Sequence, residues 1–154
     1  MRLTRQTNLA IRVLMYCAAN AGRRSRVPEV ARAYAVTDMF MFKIIQPLVE
    51  HGLLRTLRGR NGGIELARPA SQITLLDVVR ATEESFAMAE CFEDENANCP
   101  LIDGCSLNSA LRDALGAFFA TLDKYTIDQL VRTRPGIQTL LGIDKVSDRA
   151  SIPR

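Results

Sequence analysis

A mainly α-helical fold opening with a winged helix-turn-helix is what this sequence predicts, on three observations. Apolar residues recur at helical spacing in three stretches before residue 52, two short strand-like runs follow around an Asn-Gly-Gly turn, and basic residues crowd into the same half of the chain. Three helices and a hairpin in about 65 residues form the arrangement that sets its third helix in the DNA major groove.

The elements are legible in order. Leu9, Val13, Leu14, Cys17 and Ala18 make an apolar stripe over residues 4–20, and Gly22 follows as a stop. Pro28 suits a first helical turn and opens a short helix through Tyr34. Thr37 reads as an N-cap with Asp38 in the first turn, so a third helix runs through Phe40, Ile44, Ile45 and Leu48 to His51, with Gly52 just beyond its end. Pro47 removes one backbone donor from that helix and predicts a bend or loosening in its last two turns. Leu53–Leu57 and Ile64–Ala67 flank Arg58-Gly59-Arg60-Asn61-Gly62-Gly63 as a hairpin, the wing. Thr74 caps a short helix ending at Ala81.

From Glu83 to Ser106 periodicity fails and acidic residues accumulate, over a span longer than the roughly 12 to 15 residues usual for an unordered connection. A long helix over residues 107–125 then carries Leu107, Leu111, Leu115, Phe118, Phe119, Leu122 and Tyr125. That stripe is wide enough to cover a second subunit as well as its own core. Residues 126–131 add one short helix, and the end of the chain reads as frayed. The layout expected is a winged helix-turn-helix (1–70), a linking helix and cysteine loop (71–106), a dimerisation segment (107–135) with Leu111, Leu115, Phe118 and Leu122 at the interface, and a flexible tail (136–154).

Composition narrows the function. The 154 residues are 47% hydrophobic and 24% charged with only 15 Gly and Pro, which excludes disordered and collagen-like chains. No apolar run approaches the roughly 18 residues of a membrane span and no signal peptide opens the chain, so a cytoplasmic location is expected. Residues 1–68 hold 12 Lys and Arg against 4 Asp and Glu, a net +8; the remainder holds 8 against 13, a net −5. Such polarity fits a basic half on a polyanion.

Two constellations carry chemistry. Lys43, with Thr37, Met39 and Phe42 in the first turns of the third helix, faces the expected major groove; Phe42 or Met39 suits thymine methyls unless core packing claims them, and Thr37 suits phosphate. Arg58, Arg60 and Asn61 in the wing form a groove probe, because the arginine fork reaches paired acceptors on guanine or a narrow minor groove. The second constellation is Cys91, Cys99 and Cys105, whose soft thiolates suit an iron–sulfur cluster. Their spacing differs from the paired cysteines of zinc ribbons, and the sole histidine, His51, sits in the DNA-reading segment. A zinc-stabilised interaction module and an electron carrier remain as alternatives. Cys17, alone on a helical stripe, reads as a core residue. Residues 59–63 lack the lysine and hydroxyl of a phosphate-cradling loop, and no nucleophile, base and orienter set occurs, so an enzyme is not expected.

Arg2-Leu3-Thr4, the helix-turn-helix ending at His51-Gly52-Leu53, the wing and the cysteine trio together resemble the winged-helix iron–sulfur regulators that include IscR, NsrR and RirA, over about residues 1–135. Ser85–Asp94 and Cys99-Pro100-Leu101 are most similar to the iron-regulating RirA branch. The resemblance implies a homodimer that represses at a palindromic operator, DNA contact by Arg2, and one cluster, of the 4Fe-4S type, per subunit. It further implies that the fourth-ligand position, acidic in the nitric-oxide-sensing type and supplied by the other subunit, is here Asn8. A neutral amide is a poorer iron ligand than a carboxylate, which predicts a labile cluster that reports iron and oxygen, with a nitric-oxide-sensing repressor as the alternative reading.

Overall fold

The computed structural model describes residues 2–59, 62–92, 99–101 and 104–143. Helix α1 spans Arg5–Ala19, α2 Val27–Ala33 and α3 Asp38–Glu50; strands β1 (Leu54–Leu57) and β2 (Gly63–Leu66) follow, then α4 (Leu75–Thr82), α5 (Ser106–Asp123), α6 (Ile127–Arg132) and α7 (Ile137–Leu140). Short 3-10 turns occupy Ala70–Gln72 and Glu90–Phe92.

Threonine starts four of the helices. The hydroxyls of Thr4, Thr37, Thr74 and Thr126 accept the N–H groups of Thr7, Phe40, Asp77 and Gln129, satisfying donors that a helix start leaves orphaned. In α4 and α6 the bond is reciprocated: Thr74 N donates to Asp77 Oδ2 (3.0 Å) and Thr126 N to Gln129 Oε1 (2.9 Å), which makes each a capping box. Gly52, at φ +65°, ends α3 in the left-handed region that side chains avoid. Helix α3 remains continuous across Pro47, whose carbonyl accepts the N–H of His51 at 3.0 Å.

The hairpin runs from the pair Leu54–Leu66 to the pair Leu57–Gly63, and Ser25 adds an isolated antiparallel bridge to β2 through Ser25 N→Ile64 O (3.0 Å) and Ile64 N→Ser25 O (2.8 Å). The wing is thereby pinned to the connection between α1 and α2. Gly63 permits it, since a Cβ there would lie 2.7 Å from the Ser25 carbonyl oxygen.

One core runs through the molecule. Leu14, Met41, Ile44, Leu48, Leu53, Leu54, Ile64, Ile73 and Ile127 are each almost fully buried, so α6 belongs to the same core as the winged helix and not to a separate segment. The segment expected to be a flexible tail begins instead with α7: Gln138 Nε2 donates to the carbonyl of Ala19 (2.8 Å), and Ile143 is buried. Residues 144–154 lie outside the described residues. The long helix ends at Asp123, before the expected Tyr125: Lys124 N and Tyr125 N close a tighter turn on the carbonyls of Thr121 (3.2 Å) and Leu122 (3.3 Å), and the Tyr125 carbonyl then accepts Leu75 N (2.9 Å) at the start of α4. Among the described residues no helix is long and apolar enough to cross a membrane.

Candidate nucleic-acid interface and cysteine site

Helix α3 has two faces set by its 3.6-residue period. Met41, Ile44, Ile45 and Leu48 point into the core, which leaves Met39 (76% exposed), Phe42 (58% exposed) and Lys43 on the outer face with Thr37 at its start. Two large apolar side chains held in water beside a lysine are unfavourable for the chain alone and suit a surface that receives a partner. The core-packing role weighed for Met39 and Phe42 falls instead to Met41 and, in part, to Phe40. Arg58 and Gly59 are exposed at the wing, and Gly62 N donates back to Gly59 O (2.8 Å) to close the turn. Arg60 and Asn61, named with Arg58 as groove probes, lie outside the described residues. Arg2 is exposed ahead of α1. The guanidinium of Arg5 lies 5.4 Å from the Phe40 ring centroid, a cation–π contact from α1 onto the first turn of α3.

The three clustered cysteines meet at one cleft. Cys91 sits in the 3-10 turn at Glu90–Phe92, Cys105 is the N-cap of α5, and Cys99 lies between; with Ala89, Glu90, Leu107, Asn108 and Leu111 they line a cavity of about 360 Å³. That volume is in the range of small-molecule and cofactor pockets. Asn108 serves two of the sulfurs: its side-chain Nδ2 donates to Cys91 Sγ (3.0 Å) and its backbone N–H to Cys105 Sγ (3.4 Å). Arg112 in turn donates to Asn108 Oδ1 (2.7 Å) and stacks over Phe92 at 4.7 Å, fixing the amide with its donor toward sulfur. The two N–H groups of Asn108 and the N-terminus of α5 beneath Cys105 turn the positive ends of their dipoles toward the sulfurs. Among the described residues no three His, Cys, Asp or Glu side chains converge closely enough to grip a metal ion. The donor set, three soft sulfurs with hydrogen-bond support around a cavity, fits an iron–sulfur cluster, and His51 is not among the residues that line it.

Leu111 therefore lines the cysteine cleft, while Leu115, Phe118 and Leu122 are half-buried; no residue of α5 is fully buried. Phe119 anchors α5, edge-on to Phe86 at 4.9 Å with the Arg80 guanidinium over it at 5.5 Å. Asn8 is exposed on α1. Cys17, by contrast, is buried at the end of α1, and desolvation pushes its thiol up to about 12 despite a hydrogen bond with Ser25. In native protein kept reduced and free of metal, a thiol reagent at mildly alkaline pH is expected to label Cys91, Cys99 and Cys105 quickly and Cys17 only on unfolding. Peptide mass spectrometry reads this directly, and rapid native labelling of Cys17 would contradict its burial.

Sequence reading finds the cysteines but not Asn108 and Arg112. The signal available was spacing: Asn108 falls three residues after Cys105, where a helix presents its N–H to the cap, and Arg112 one turn further along.

The family described as "Rrf2: Iron-dependent Transcriptional regulator" matches residues 3–133. Protein aau3 of Rhizobium meliloti (strain 1021) is 63% identical over 145 residues, covering 94% of both chains. The HTH-type transcriptional regulator NsrR of Bacillus subtilis (strain 168) is 37% identical over 142 residues, covering 92% of this chain and 97% of the relative. Among solved structures, CymR, the global cysteine regulator of B. subtilis, superposes with a TM-score of 0.67 at 20% identity, over 87% of this chain and 98% of CymR, which shows the shared fold.

Proposed function

We infer from the premise that this chain belongs to the Rrf2 family of transcriptional regulators that it is an iron-responsive repressor, holding operator DNA as a dimer while Cys91, Cys99 and Cys105 hold an iron–sulfur cluster and letting go when they do not. As a member of that family it is a transcriptional regulator and not an enzyme. The observation that carries the finer reading is the single cleft onto which all three cysteines of the loop open, with Asn108 donating to two of the sulfurs.

When bound, the cluster supplies a redox- and iron-sensitive crosslink among the three thiolates. The chain supplies the rest. Cys91 lies within the connection between α4 and α5 and Cys105 closes it, so their joint ligation fixes how α5 leaves the core; order and disorder of such a segment is a recognised switch. Leu115, Phe118 and Leu122 on α5 would meet a second subunit and so set two α3 helices about one DNA turn apart. Arg2, Lys43, Thr37 and the wing residues Arg58, Arg60 and Asn61 supply phosphate and groove contacts, and Met39 and Phe42 supply apolar contact to bases. Asn8 is the position from which the second subunit would offer a weak fourth ligand.

The test begins with anaerobic purification, an absorbance spectrum, and iron and sulfide counts. An iron chelator is then added while binding is followed to a DNA fragment that the protein itself selects from sheared genomic DNA. Joint loss of colour and DNA binding is the expected result. A brown protein indifferent to chelator but bleached by nitric oxide would reassign it as a nitric-oxide sensor, and a colourless protein with one zinc per chain would overturn the cluster reading. A brown protein without DNA affinity would be an electron carrier.

A further inference from the structure

Helix α1 differs from α4 and α6 in how its start is completed. Thr4 caps it, its hydroxyl accepting the N–H of Thr7 (3.1 Å), but the residue three positions on, which in α4 and α6 reaches back to the cap's own N–H, is here Thr7 and too short to do so. The first turn of α1 carries no acidic residue either. The missing half of the box comes from 79 residues away: Glu83 Oε1 accepts the N–H of Thr4 (2.7 Å), and the same oxygen accepts the hydroxyl of Thr7. Thr7 is fully buried, and Thr82 donates to its hydroxyl at 2.8 Å, so the junction is closed from both sides. A carboxylate at a helix N-terminus is also favoured by the helix dipole.

The position of this glutamate in the chain gives the contact its meaning. Glu83 is the first residue after α4 and begins the connection that carries Cys91, Cys99 and Cys105. At the other end of the contact, Arg5 is the first residue of α1 and its guanidinium rests on Phe40, whose own N–H is bonded to Thr37 Oγ1 at the start of α3. A short series of direct contacts thus runs from the root of the cysteine loop, through the first turn of α1, to the turn that presents Met39 and Phe42.

We propose that Glu83 is a positioning residue that couples the cysteine loop to the DNA-reading helix by completing the N-terminal cap of α1 across the fold. The proposal rests on the reading of the loop as a cluster-controlled switch. Movement of the loop root withdraws the carboxylate, the first turn of α1 frays, and Arg5 no longer holds Phe40.

The experiment uses the full chain with Glu83→Gln, Thr7→Val, Cys91→Ser and the Glu83→Gln/Cys91→Ser pair, each checked for an unchanged urea midpoint. Amide exchange of Thr7 and Asn8, bonded to the Thr4 hydroxyl and carbonyl, is expected to quicken about tenfold in Glu83→Gln and Thr7→Val. Affinity of the anaerobic protein for its selected DNA fragment should fall in both to the level of Cys91→Ser, with no further loss in the pair, because both substitutions interrupt one coupling. Unchanged exchange at Thr7 and Asn8 overturns the proposal. Additive losses in the pair overturn the coupling and leave the cluster reading standing, whereas a Cys91→Ser protein that binds DNA like its parent overturns both.

Discussion

Cys99→Ser is expected to yield a folded, colourless protein whose affinity for its DNA site is lower by about 5–150-fold, the usual span of an allosteric coupling, and no longer changes with iron. A serine hydroxyl is a hard, poorly ionised donor where the site needs a soft thiolate, so one exchange of sulfur for oxygen removes a third of the protein's ligand set. Cys99 is exposed, and so its replacement leaves the packed core untouched and separates ligation from folding. Anisotropy titrations of the anaerobic protein against the DNA fragment, with and without chelator, measure the effect, and the urea midpoint serves as control. Parent-like, iron-independent affinity in Cys99→Ser would sink the assignment of the cysteines as the switch.

Ile127→Ala should be the most damaging apolar truncation outside the first 70 residues, costing about 2–5 kcal/mol of stability. Ile127 is fully buried, its N–H donates to Ile73 O at 2.9 Å, and the bridge between Thr74 and Thr126 lies beside it. The cavity left by its side chain opens into the core shared with Leu14 and Ile73, where close packing prevents collapse. Leu107→Ala, on the 63% exposed start of α5, is the matched comparison and should move stability by no more than about 0.5 kcal/mol. Urea unfolding with a constant slope reads both. Equal effects at the two positions would show that α6 is an appendage and not part of the winged-helix core.

The fold was legible wherever local chemistry decides it. Thr37 and Thr74 announce helix starts because a hydroxyl bonds an N–H three residues away, and Gly52 announces a stop because φ +65° disfavours any Cβ. The cysteine loop was legible for a similar reason, since three thiols in fifteen residues serve no packing purpose. What escaped were relations across the chain. Residues 137–140 make too short a helix for periodicity to register, and its place is set by contacts distant in sequence, the Gln138 amide on the Ala19 carbonyl and the packing of Ile137, Leu141 and Ile143 on the core. Met41 shares the buried face of α3 although Phe40 is the more apolar choice in a linear reading. The partnership of Glu83 with Thr4 and Thr7 spans half the sequence, and nothing within a window of one or two turns points to it.

The bridge between Ser25 and Ile64 has a consequence for how this lineage can drift. Gly63 faces the Ser25 carbonyl oxygen at a separation where any Cβ would collide at 2.7 Å, so every amino-acid replacement at that codon, down to alanine, forces two backbone segments apart. Neighbouring wing positions such as Arg58 remain exposed and free to change with the DNA sequence they meet. Evolution is thus given a hinge point it cannot edit beside a tip it can, and new target sites are reached by rewriting the tip while the root of the wing stays fixed.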